Sequence, residues 1–324
     1  MLKNLFRLLF WFPVRWLILV LPLEMTFFCA KILGHLYFCF ARKRRRIMEL
    51  ELRALSSRLD PGQFHGWKKQ SVINFVLEQV EVMLYPKLRG RTIQDLVHVD
   101  GLQHLEQALG KKRGVLLLTA HFGSNQLIMP ALASRGFRIN QIAGQPIDWS
   151  KLVGKKPGRI ETQVLKIKTR LEASLPATFH YIRSSSGLRS LFRCLQENQV
   201  LIAAFDGRAG ARWTEVPLLE RTALVSQGPV QVAVRVGSPI LPAFVIRKSW
   251  KHHELVIHAP LHVDEETDPP ELLRAFSRIF STCLLAHPEQ YLWLLHVAHL
   301  RSALDEYPLF ADYDEKSGNV GEHA

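Results

Sequence analysis

The residues best arranged for chemistry lie in the run Leu116-Leu117-Leu118-Thr119-Ala120-His121-Phe122-Gly123-Ser124-Asn125-Gln126. Here an apolar strand feeds a histidine, a glycine and a serine. In α/β sheets ligands sit at the carboxyl ends of strands. A histidine there suits a general base, because its unperturbed pKa of about 6.5 lies near working pH. Gly123 permits a tight turn and close approach of a substrate. Ser124 reads as a helix N-cap, and the helix start behind it offers N–H groups to an anion or a developing oxyanion. The plain alternative is a structural histidine at a strand end.

The elements around this run alternate. Apolar segments at 115–118, 139–143, 177–182, 200–205, 240–246 and 255–258 read as strands. Between them, stretches near 125–134, 160–173, 187–197, 225–236 and 270–286 read as helices, and 71–84 shows helical spacing before Tyr85-Pro86. The last helix carries a well-formed stripe of Leu272, Leu273, Phe276, Ile279, Phe280, Cys283 and Leu284. Strand–helix alternation predicts an α/β fold with a mixed, mainly parallel sheet flanked by helices.

The 324 residues are 48% apolar and carry a net charge of +13, which excludes a wholly disordered chain and favours anionic partners. The charge is uneven. Residues 1–60 hold 11 basic and 4 acidic residues, and the same segment is the most hydrophobic. Between Trp16 and Phe40, 19 of 25 residues are apolar, and Arg42-Lys43-Arg44-Arg45-Arg46 closes the run. A helix of that length reaches about 37 Å, enough for a bilayer core of about 30 Å. Glu24 and Lys31 argue against a clean span, Pro13 and Pro22 add kinks, and a hairpin or interfacial helix is the alternative. Three divisions follow: a membrane anchor with a basic flank (1–46), an α/β part (47–306) and a polar tail (307–324). A spanning anchor would hold the basic flank and the bulk of the chain on the cytoplasmic side. The segment 151–170 carries Lys151, Lys155, Lys156, Arg159, Lys166, Lys168 and Arg170 against Glu161, and suits an acidic carrier protein, anionic headgroups or plain solvation. Cysteines 29, 39, 194 and 283 lack metal or disulfide spacing. His252, His253, His258, His262, His296 and His299 show no convincing metal pairing, so no metal or cofactor is expected. With no nucleic-acid motif, the basic charge does not point to nucleic acid.

Four segments together resemble the late acyltransferases of lipid A biosynthesis, within the wider lysophospholipid acyltransferase superfamily. His121-Phe122-Gly123-Ser124-Asn125-Gln126 is similar to the family's His-x4-acid motif. Gly187-Leu188-Arg189 with Leu191 and Leu195 is similar to its helix before the next strand. Val200 to Gly210, with Asp206-Gly207-Arg208, is similar to its strand ending in D-Q-D-x-G. His287-Pro288-Glu289-Gln290-Tyr291-Leu292-Trp293 is similar to its closing P-E-Q-W-x-W segment. The resemblance implies an enzyme of the bacterial inner membrane. It would move a fatty acyl chain from acyl carrier protein, or acyl-CoA, to a hydroxyl of a glycolipid or lysolipid. His121 would be the base, with the acid position orienting its imidazole.

That position holds Gln126. A neutral amide can hold a tautomer but supplies no charge for an imidazolium. Three readings stand open: another carboxylate, Asp206 first, compensates; the reaction is slow or easier than usual; or the chain is a catalytically impaired, lipid-binding membrane protein. Arg189, Arg208 and Arg212 are candidates for a sugar phosphate or the phosphopantetheine arm, and equally for plain surface positions. Gly123 and Ser124 complete the substrate-binding candidates.

Overall fold

The computed structural model describes residues 8–143, 158–181, 185–208, 210–262, 268–295 and 309–310. Lys151, Lys155, Lys156, His296 and His299 lie outside them.

Among the described residues nine strands form: β1 (Val97–Asp100), β2 (Val115–Thr119), β3 (Ile139–Ala143), β4 (Ala177–Tyr181), β5 (Val200–Ala204), β6 (Trp213–Leu218), β7 (Arg221–Ser226), β8 (Ile240–Arg247) and β9 (His253–Ile257). Seven make one sheet in the order β1-β9-β8-β2-β5-β3-β4, parallel except for the antiparallel β8–β9 pair. The mainly parallel sheet expected from the alternation is present. Strands β6 and β7 form a separate antiparallel hairpin.

The helices, in chain order, are α1 (Arg15–Val20), α2 (Leu23–Phe40), α3 (Arg42–Leu55), α4 (Phe64–Met83), α5 (Arg91–Leu96), α6 (Leu102–Gly110), α7 (Ile128–Ala133), α8 (Arg159–Glu172), α9 (Ser185–Gln196), α10 (Gly228–Val236) and α11 (Pro269–Ala286). Strand pleating sorts β2, β5 and β8 into two apolar faces. Leu116, Leu118, Leu201, Ala203 and Phe244 join the core under α9, α10 and α11. Val115, Leu117, Val200, Ile202 and Val245 join the core under α4 to α8. Burial on both faces explains why these strands read as unbroken apolar runs.

Three expectations change. The apolar segment 16–40 is not one helix: it breaks at Leu21-Pro22, because Pro22 has no N–H for the ladder and drives the residue before it out of helical geometry. The basic run 42–46 is not a loose flank but the first turns of α3, whose Met48, Leu52 and Leu55 are buried. The tail, read as polar, is anchored by an apolar residue near its start: Phe310 bridges to Ala223 on β7, is fully buried, and has its ring 3.6 Å from the Arg221 guanidinium.

Helix α2 is long and apolar enough to cross a membrane by length and composition. Its two faces differ. Phe27, Ala30, Gly34 and Phe38 are buried, with Gly34 so close to α4 that a Cβ there would lie 3.0 Å from the Ile73 Cα. Met25, Phe28, Ile32, Leu36 and Phe40 form an exposed apolar stripe.

Phe280 on α11 packs with Phe122, Phe205, Phe244, Phe276 and Tyr291, at ring separations from 5.2 to 6.3 Å. This cluster joins α11 to the loops after β2 and β5. Phe280→Ala is expected to cost about 3–5 kcal/mol, read as a lower denaturant midpoint in detergent. An unchanged midpoint would show that the cluster does not support the fold.

Candidate active site

Register creates the site. Strands β2 and β5 are parallel neighbours with Thr119 opposite Ala204. Two residues further along each strand stand His121 and Asp206, both at carboxyl ends near the middle of the sheet. The His121 ring nitrogen Nδ1 lies 2.8 Å from Asp206 Oδ1. The His121 main-chain N–H also points at this carboxylate, 3.2 and 3.1 Å from its two oxygens. Asp206 is fully buried, whereas the His121 side chain is 35% exposed. An ionised carboxylate accepts only, so Nδ1 carries the proton and Nε2 is left as the basic nitrogen. Burial alone would lower the His121 pKa. The charge and hydrogen bond of Asp206, with the charge of Glu78, outweigh it, and the net shift is upward.

The closing segment walls this pair. Trp293 stands edge-on to the His121 ring at 4.7 Å between centroids. Tyr291 is fully buried, and burial followed by the charge of Asp206 pushes its phenol pKa well up. Gln290 staples the loop: its main-chain oxygen accepts from Gly123 N at 2.9 Å, and its amide exchanges hydrogen bonds with the Arg247 backbone at 2.8 and 3.1 Å.

Gly123 is required by two observations. Its φ is +58°, and a Cβ would lie 1.7 Å from the Val245 carbonyl oxygen. Ser124 does not cap a helix as expected. Its Oγ donates to Glu81 Oε1 on α4 at 3.3 Å, and its N–H donates to Val245 O at 3.1 Å. The main-chain donors of the loop itself are taken. The N–H groups of His121, Phe122, Gly123 and Ser124 go to Asp206, Ala120, Gln290 and Val245 in turn.

Gln126 sits apart from this pair. Its side-chain oxygen accepts from Tyr85 Oη at 2.9 Å. His121 Nδ1 donates to Asp206 instead. Arg208 is buried beside the site, with its guanidinium 4.6 Å from the Trp213 ring and Nη1 donating to Leu224 O at 2.7 Å. Burial brings its pKa down to about 10, against the charge of Asp206. Arg189 and Arg212 are exposed, on α9 and just before β6. Of the basic run after 151, Lys168 donates to Gln79 at 3.1 Å and lies over the Trp11 ring, while Lys166 and Arg170 are exposed.

The site residues missed in sequence come mostly from α4 and the β8 end. Glu81 is fully buried and pairs with Arg247 Nη1 at 2.7 Å, and Glu78 lies one turn earlier. The charge of Glu78 acts on His121, and its own pKa is raised by burial and then by Glu81. The sequence signal for both was two acids inside an otherwise apolar helical face.

Residues 3–297 match the family model described as bacterial lipid A biosynthesis acyltransferase. The chain belongs to that family. A curated relative, the lipid A biosynthesis lauroyltransferase of Escherichia coli (strain K12), is 24% identical over 296 residues, covering 87% of each chain. The protein is thus an acyltransferase of lipid A biosynthesis. In this acyltransferase the four segments that carried the resemblance converge. The first, third and fourth meet around His121, and the second lies on α9 against the same sheet face.

Gly123→Ala in this acyltransferase is expected to cost at least about 1–3 kcal/mol from backbone strain alone, before the clash with Val245. A fall in melting temperature in detergent checks it. A wild-type melt would mean the loop has another conformation.

Proposed function

We propose that this acyltransferase carries a fatty acyl group from a thioester to a hydroxyl of a glycolipid, with His121 as general base and Asp206 as its partner. Acyl carrier protein is the proposed donor, with acyl-CoA second. The observation that carries the reading is the 2.8 Å contact between His121 Nδ1 and a fully buried carboxylate. Nε2 takes the proton of the acceptor hydroxyl as its oxygen attacks the thioester carbonyl. The tetrahedral intermediate collapses with loss of the thiolate, which takes that proton from the imidazolium. An O-ester and a free thiol result. Asp206 fixes the tautomer and stabilises the imidazolium, as the carboxylate does in a Ser-His-Asp triad. It supplies the charge that Gln126 lacks, which favours an active enzyme over the impaired, lipid-binding reading.

Membrane association is part of this proposal. The exposed stripe on α2 and the exposed Trp16, Leu17 and Val20 on α1 support both segments lying in the interface of the bacterial inner membrane. The basic turns of α3 would then face anionic headgroups, at about 1 kcal/mol for each arginine near the surface. The bulk of the chain is proposed to face the cytoplasm.

Acyl transfer by purified protein tests the chemistry. His121→Ala and Asp206→Asn are each expected to lose about 10²–10⁴-fold in rate. Gln126→Glu is expected to gain nothing, because Nδ1 is already held. A large gain with Gln126→Glu, or full activity in Asp206→Asn, would overturn the pairing.

The pH profile gives a second check. Only neutral His121 acts as base, so the rate rises with pH through the raised His121 pKa. Asp206→Asn removes the charge that raises it and leaves burial, which lowers it. The acid limb of the residual activity should therefore move to lower pH. A limb that stays in place, or moves up, would mean another group titrates.

A further inference from the structure

A second polar site lies behind the staple formed by Gln290. A cleft of about 280 Å³ is bounded by Lys31 on α2, Asn74 on α4, and Arg247, Lys248, Ser249 and Trp250 at the β8–β9 turn. Glu289 and Gln290 close it. The turn is docked on α2: Lys251 pairs with Glu24 at 2.8 Å, and the Trp250 ring lies 6.2 Å from that of Phe27. Lys31 sits within the segment that exposes Phe28 and Ile32. The cleft therefore borders the apolar stripe.

We propose that this cleft binds the phosphate of a lipid headgroup. Three cations, Lys31, Arg247 and Lys248, face one carboxylate, Glu289. Glu289 lies 3.7 Å from His287, and Lys248 pairs with Glu254 at 2.8 Å. The Arg247 side chain is only 3% exposed. Nη1 lies against Glu81, but Nε and Nη2 meet no acceptor among the described residues. Buried donors left unmet are costly, and a guanidinium fork matches phosphate oxygens. The volume is at the small end for ligand pockets and suits a headgroup rather than a whole glycolipid. Arg247 N and Gly123 N both donate to Gln290, so a bound headgroup would sit one residue from the loop that carries His121. The inference rests on the reading that α2 lies against the membrane, but not on the identity of the base.

Trp250 gives the readout. Full-length protein in non-ionic detergent is titrated with dihexanoyl phosphatidic acid, and the fluorescence change absent from Trp250→Phe is followed. A saturable change is expected. Lys31→Gln with Lys248→Gln should weaken it at least about tenfold, while Arg42→Gln with Arg45→Gln leaves it in place. Equal binding of dihexanoylglycerol would overturn the phosphate, and equally tight binding of inorganic phosphate would overturn the lipid. No saturable change, or unchanged affinity in the lysine variant with a native circular dichroism spectrum, would overturn the site. His121→Ala is expected to lose transfer and keep this binding. Retained transfer in that variant would sink the proposed base and leave the headgroup site standing.

Discussion

Strands β2 and β5 run parallel with Thr119 beside Ala204, and this register fixes where His121 and Asp206 stand. A shift of one residue would turn each side chain to the opposite face of the sheet. Both strands are buried on both faces, so such a shift would force close-packed side chains of different size to exchange places. The carboxylate is then held from two directions, by the ring and by the main chain of the same histidine. It needs that support. A fully buried carboxylate without hydrogen bonds would take up a proton and lose the charge that polarises the imidazole.

The loop after β2 also depends on buried charge from outside the sheet. Glu81 on α4 meets Ser124 on one side and Arg247 on the other. A pair buried this deeply gains little net stability, but losing one partner costs about 3–5 kcal/mol. Its effect is one of geometry. Helix α4 is tied to the loop that carries His121 and to the end of β8 by contacts that tolerate little sliding. Tyr85, one turn beyond Glu81, adds the hydrogen bond to Gln126. The same helix buries the inner face of α2, so the apolar segment and the loop that carries His121 are positioned by one rigid element.

Periodicity made much of this legible. The six strand candidates fall on real strands; β2, β5 and β8 read as uninterrupted apolar runs because they are buried on both faces, β9 alternates, and α11 is visible in its stripe. What escaped has physical reasons. Strand β1, Val97-His98-Val99-Asp100, lies at the sheet edge and alternates over only four residues. The β6–β7 hairpin contains Pro217 and lies outside the main sheet. Helix α3 opens with five basic residues, which read as a flank because its apolar face begins only at Met48. At the site, the position of His121 followed from its strand. Asp206 stood first among the carboxylates that could compensate for Gln126, but its bond to His121 could not be derived from spacing, since 85 residues separate the two and only the strand order makes β2 and β5 neighbours. Gln126 drew attention because motif spacing assigns a role by position, whereas the side chain turns towards Tyr85.

The exchange of partners on His121 bears on how an acid can be absent from its usual place. A carboxylate at 126 would lie on the side of the loop that faces α4, where Glu78 and Glu81 are already held above their usual pKa by burial. A third acid there would meet the like charge of both and push all three further upward. An amide avoids that repulsion and still accepts the Tyr85 hydroxyl. Asp206 approaches His121 from the neighbouring strand instead, on the side where its charge also acts on Arg208. The buried acids of α4 and the glutamine at 126 thus form one electrostatic arrangement, in which the charge that serves His121 comes from the sheet rather than from its own loop.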